Sequence, residues 1–176
     1  MGYVTPKGAL AQPQSASSGP HLGGQTAGRV LLVGSSGGHL AQLAALRSWW
    51  QDRERRWVTF RTPDAVSSLA GEDVVWAFHP TTRHVGNLIR NTGLAVRVMR
   101  AYRPDVVVST GAAVAFPFFL LAKLTGVPTV YIEVYDRIDT PTLTGRLCRP
   151  LSDRFCVQWE EQLAFYPGAQ LIGPLL

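Results

Sequence analysis

A histidine stands where one apolar run gives way to a helical pattern. The segment Val30-Leu-Leu-Val-Gly-Ser-Ser-Gly-Gly-His39 passes from strand-forming residues through Gly34, Ser35, Ser36, Gly37 and Gly38 to His39. Small residues let the backbone approach a ligand closely, and the free N–H groups of a helix start favour an anion. A phosphate or diphosphate suits such a loop, although a ligand-free tight turn would use the same residues. His39 has two chemical uses at that place: a neutral imidazole takes a proton from an acceptor hydroxyl, or its N–H donates to a phosphate. The positive end of the helix favours the neutral form.

Two further loops share this position after a strand. Ser109-Thr110-Gly111-Ala112-Ala113 again leads from a strand through small residues into a helix, and beside the first loop it would complete a backbone-lined anion cradle with Thr110 and Gly111. Close helix–strand packing explains the same glycine. The third loop, Glu133-Val-Tyr-Asp136-Arg137-Ile-Asp139, gathers ionisable residues at a strand's end. Glu133 or Asp136 is a second candidate base or a partner for sugar hydroxyls. Arg137 either neutralises a diphosphate or pairs with Asp139.

The elements that must position these loops follow from periodicity. Strands are expected at 30–33, 57–60, 74–78, 105–109, 129–132, 154–157 and 170–172, and helices at about 39–49, 63–70, 83–102, 112–124, 141–150 and 159–165. Such alternation predicts an α/β fold: a single Rossmann-like domain over residues 29–176, with a mostly parallel sheet and helices on both faces. In such sheets ligands sit beyond the carboxyl ends of the strands. Residues 1–28, rich in Gly, Ser, Pro, Gln and Ala, are expected to form a disordered tail. In the helix over 83–102, Val85, Leu88, Ile89, Ala95, Val96, Met99 and Tyr102 repeat at three and four, which predicts one core-facing stripe. Arg83, Arg90, Arg97 and Arg100 fall mostly on the other side, as a solvated basic face or one that meets anionic lipid.

Composition narrows the function classes. The 176 residues carry a formal net charge of +5, which points to an anionic partner. Nucleic acid is disfavoured because no aromatic residues interleave with the arginines. The two cysteines, Cys148 and Cys156, complete no metal site, and no metal or other cofactor is expected. The first loop is not GxGxxG, and the second strand ends at Arg61 rather than at an acidic residue. NAD is thereby disfavoured, and an NADP-binding oxidoreductase is left as a distant alternative. The longest apolar stretch, 111–122, is too short to cross a bilayer, and no export signal is visible, so a cytoplasmic chain is expected.

Taken together, the strings Gly34–Leu43, Ser109–Ala113, Tyr131–Asp139 and Val157–Gln162 resemble the PssD family of bacterial exopolysaccharide synthesis. That family is similar to the membrane-recruiting subunit of the eukaryotic two-component N-acetylglucosaminyltransferase and to the N-terminal half of MurG, a family 28 glycosyltransferase of GT-B fold. The resemblance implies an acceptor-binding subunit of an inverting glycosyltransferase, peripheral on the inner face of the cell membrane. A PssE-like partner would bind the UDP-sugar, and the acceptor would be a lipid-diphosphate-linked saccharide. It assigns Gly34, Gly37, Gly38 and Gly111 to the acceptor diphosphate, and His39 and Glu133 to the histidine and acidic positions of the family. A scaffold that only recruits the transferase to the membrane is the rival reading.

Overall fold

Short runs of valine, isoleucine, leucine and aromatic residues build a parallel sheet whose central strands are buried on both faces. The computed structural model describes residues 28–81 and 84–176, so residues 1–27 of the expected tail, and Arg83, lie outside the described residues. The strands are β1 (Arg29–Val33), β2 (Glu54–Phe60), β3 (Val74–Ala77), β4 (Val106–Ser109), β5 (Thr129–Ile132), β6 (Arg154–Val157) and β7 (Gln170–Leu171). Their order is β3-β2-β1-β4-β5-β6-β7, and every pairing is parallel. The chain winds outward from β1 to β3 and then crosses back to β4. The order therefore reverses between β1 and β4, where Val33 pairs with Ser109. The loops leaving those two strands are neighbours at the point where α/β sheets bind ligands.

The helices are α1 (Gly38–Ala45), α2 (Arg47–Trp50), α3 (Pro63–Ser68), α4 (Val85–Tyr102), α5 (Ala115–Thr125) and α6 (Leu143–Cys148). Single helical turns of the tighter 3-10 type follow at Arg149–Leu151 and Glu160–Ala164. One core packs Leu31, Val33, Val107 and Tyr131 against α4 and α5. The other packs Val30, Leu32, Trp57 and Val108 against α1, α2 and α3.

Three boundaries differ from expectation for local reasons. The helix expected over 39–49 breaks at Leu46 into α1 and α2. β2 begins three residues early because its polar start is paired: Arg55 forms a two-pronged bond with Glu72 at 2.6 and 2.7 Å, and Arg56 meets Asp73 at 2.7 Å. The helix expected over 159–165 is a 3-10 turn, whose Gln162 side chain accepts from the N–H groups of Gln158 and Trp159.

The stripe on α4 needs a larger correction. Ala95, Met99 and Tyr102 are buried, but Val85, Leu88 and Ile89 are exposed, the first and last at 69% and 67%. Asn87 and Asn91 are buried instead. The first turns of α4 overlie a loop, and the loop's peptide groups demand polar partners. Asn91 pairs with both the N–H and the C=O of Phe78 at 2.9 Å, and Asn87 donates to the Pro80 carbonyl at 2.8 Å.

Candidate functional site

The loops after β1 and β4 are fastened to each other by a reciprocal pair of hydrogen bonds. His39 Nδ1 lies 2.7 Å from the carbonyl oxygen of Thr110, and the Thr110 hydroxyl donates to the carbonyl of His39 at 2.8 Å. A carbonyl can only accept, so Nδ1 carries the ring proton and Nε2 keeps its lone pair. Burial lowers the pKa of His39 below its ordinary value of 6.5, against smaller opposing effects from the Thr110 bond, Asp136 and Glu133. At neutral pH the ring is a neutral base held in one tautomer.

Gly111 is required by the same junction. Its φ is +111°, and a Cβ there would fall 2.8 Å from the Tyr131 hydroxyl and 3.1 Å from His39 Cε1. The Gly111 N–H is already bonded to Ser109 Oγ at 2.9 Å, and the Gly37 N–H donates to the Asp64 carboxylate at 3.1 Å. The amides of the first turn of α1, beginning at Gly38, have no partner within the helix and are available to the cradle. Gly34 packs under the turn, its N–H donating to Val58. Ser35 and Ser36 are half-buried beside it.

An open cleft of about 660 Å³ lies over these loops, lined by Ser35, His39, Phe60, His79, Ala112 and Thr144. Through Thr81, Ala113, Leu143 and Thr144 it continues into a second hollow of about 300 Å³. That hollow is walled by Val85, Leu88, Phe116 and Leu147, from α4, α5 and α6. The His39 cleft, the more polar of the two, with Ser35, His39, His79 and Thr144 on its walls, thus adjoins an apolar groove.

Glu133 does not reach this cleft. It is fully buried, and its carboxylate accepts from the Val134 N–H at 3.1 Å, from the Thr142 hydroxyl at 3.0 Å and from the Tyr166 hydroxyl. Thr142 in turn caps α6 by accepting from Gly145 N at 2.9 Å. Glu133 therefore positions the segment that carries Leu143 and Thr144 to the cleft. Asp136 and Arg137 are exposed on the loop beyond it, and among the described residues neither forms an ion pair. Arg90 stacks over Phe78 at 5.7 Å, and Arg97 and Arg100 are exposed on α4.

The sequence reading missed His79. It follows β3, rests against Phe60 with ring centroids 5.4 Å apart, and faces the cleft with His39. The signal was present, since an ionisable residue directly after a strand had already singled out Glu133.

Comparison with known proteins agrees with this architecture. Residues 78–175 match the family model described as "Oligosaccharide biosynthesis protein Alg14 like", more than half of the chain. The chain belongs to the Alg14-like family. Over 89 residues it is 32% identical to the UDP-N-acetylglucosamine transferase subunit ALG14 of Yarrowia lipolytica, covering 47% of this chain and 41% of that protein. Over 159 residues it is 26% identical to the UDP-N-acetylglucosamine--N-acetylmuramyl-(pentapeptide) pyrophosphoryl-undecaprenol N-acetylglucosamine transferase of Syntrophotalea carbinolica, covering 81% of this chain and 44% of that enzyme. The crystal structure of Acinetobacter baumannii MurG superposes on 83% of this chain and 45% of its own, with a TM-score of 0.66 at 17% identity. This Alg14-like chain thus spans less than half the length of these relatives, and the MurG likeness establishes its fold.

Proposed function

We propose that this domain is the acceptor half of an inverting glycosyltransferase that moves a sugar from a UDP-sugar to a lipid-diphosphate-linked saccharide in polysaccharide synthesis. The observation that carries the reading is the continuity of the His39 cleft with the apolar groove of α4, α5 and α6. A substrate with a polar head and a long hydrocarbon tail needs both surfaces joined. The relatives' names support it: one is a transferase subunit, and another acts on a pyrophosphoryl-undecaprenol.

In this reading His39 Nε2 removes the proton from the acceptor hydroxyl as that oxygen attacks the anomeric carbon, and UDP departs on the partner's side. Gly38 and the first amides of α1 meet the diphosphate, with Ser35, Ser36 and Thr110 at the rim and Gly34, Gly37 and Gly111 providing the close approach. Asp136 and Arg137 flank the acceptor sugar, and Glu133 is a positioning residue. A PssE-like partner chain supplies the UDP-sugar site.

The domain lies on the inner face of the cell membrane through α4 and α5, whose exposed side chains include the apolar Val85, Ile89 and Leu124 and the basic Arg90, Arg97 and Arg100. Among the described residues no helix is long and apolar enough to cross a membrane.

Binding of undecaprenyl diphosphate to the purified chain, compared with undecaprenol and UDP-N-acetylglucosamine, tests this. The lipid diphosphate should bind the isolated chain and protect the α1 amides from exchange, while the UDP-sugar binds only with the partner present. Tight UDP-sugar binding by the isolated chain, without lipid-diphosphate binding, would overturn the assignment. A pure scaffold predicts that His39→Ala leaves transfer by the assembled complex unchanged.

A further inference from the structure

A second hollow lies between α4 and α5. On α4 the residues Val85, Leu88, Val96, Met99 and Arg103 recur at helical spacing along the flank that faces α5. The cleft-side hollow takes the first two, and a separate pocket of about 310 Å³ takes the last three. The pocket's apolar walls are Val96, Met99, Leu121 and Val127, and Arg100 and Arg103 stand at its edge. Leu88 and Arg100 are twelve residues apart, about 18 Å along the helix axis, so this pocket is remote from His39.

Two observations indicate what it holds. The first is charge: among the described residues neither arginine has a carboxylate within ion-pair distance. The second is backbone. Arg103 ends α4 at φ +50° and ψ +64°, the left-handed capping position that glycine fills at least cost. That turn leaves Arg103 beside Arg100 at the same pocket, two guanidinium groups on one apolar hollow. The pocket also lies in a face where Leu120 and Leu124 are exposed, the latter at 73%. A soluble anion would leave those leucines in water, whereas a bilayer covers them.

We propose that this pocket is a binding site for an anionic phospholipid, with the phosphate between Arg100 and Arg103 and the first methylenes of an acyl chain against Val96, Met99 and Leu121. The site rests on the membrane-facing reading of α4 and α5 but not on the acceptor assignment. It fixes which way the helix pair lies on the bilayer.

The test is flotation of the full chain on vesicles of phosphatidylcholine alone or mixed equally with phosphatidylglycerol. Wild type should prefer the anionic vesicles, and R100Q/R103Q should lose about thirty-fold in partitioning, from two basic residues at about 1 kcal/mol each. Arg103→Gly should also weaken partitioning while the melting temperature holds or rises, which separates lost binding from lost folding. R90Q/R97Q, on the opposite flank of α4, should cost less and leave the headgroup preference. Equal losses from both pairs would mean diffuse attraction and would overturn the site. Full competition by inorganic phosphate would make it a soluble-anion pocket, also overturning it. Wild type that floats on neither vesicle would instead remove the membrane-facing reading itself.

Discussion

Replacing Glu133 by alanine separates positioning from chemistry. In the folded domain the carboxylate accepts from two hydroxyls, Tyr166 and Thr142, and one amide, Val134, in a site without solvent access. Alanine leaves those donors without their acceptor. An unsatisfied buried donor costs about 1–3 kcal/mol, and the two hydroxyls together give about 2–5 kcal/mol after partial relaxation. Against a total stability of roughly 5–15 kcal/mol that is a large fraction. For a domain of this size it lowers the melting temperature by roughly 5–20 °C. Glu133→Gln keeps the shape and one acceptor, and should cost about 1–2 kcal/mol with transfer largely retained. Thermal unfolding followed by circular dichroism, with sugar transfer measured well below the melting point, reads both quantities. An alanine variant that melts like wild type but transfers no sugar would refute the reasoning, because the carboxylate would then be acting on substrate.

His39→Gln should lower transfer by roughly 10²–10⁴-fold with little change in melting temperature, since the side chain's packing is kept and only the base is lost. With its pKa lowered by burial, His39 is neutral in the folded state where the unfolded chain is protonated. Stability is therefore full above about pH 6.5 and declines as pH falls from there toward the lower folded pKa, which urea titrations across that range will register. Gly111→Ala, at φ +111° with Tyr131 and His39 in the way, should cost about 1–3 kcal/mol and reduce transfer as the His39 ring is pushed aside. Asn91→Ala strips the partners from both peptide groups of Phe78 and should cost about 1–3 kcal/mol, with faster amide exchange at Phe78.

The sheet was legible because its strands are buried: runs such as Val30–Val33 and Val106–Ser109 have no polar face to confuse their reading. The start of β2 was hidden because Glu54, Arg55 and Arg56 look like a loop until Glu72 and Asp73 come alongside. The glycine loops and His39 were legible from local spacing. The setting of Glu133 was not, because Thr142 and Tyr166 lie nine and 33 residues away and nothing in a linear string brings them together. The stripe on α4 misled for a related reason: periodicity gives a helix its apolar face, but the loop beneath α4 needed amides, and asparagines took the inward positions.

The bond between His39 and Thr110 ties the orientation of the base to completion of the sheet. The two loops come from opposite sides of the strand reversal, one following β1 and the other β4. Until both halves have closed, the imidazole is free to carry its proton on either nitrogen. A misassembled chain thus lacks the single tautomer, and the Nδ1 proton should report correct assembly as a single slowly exchanging resonance.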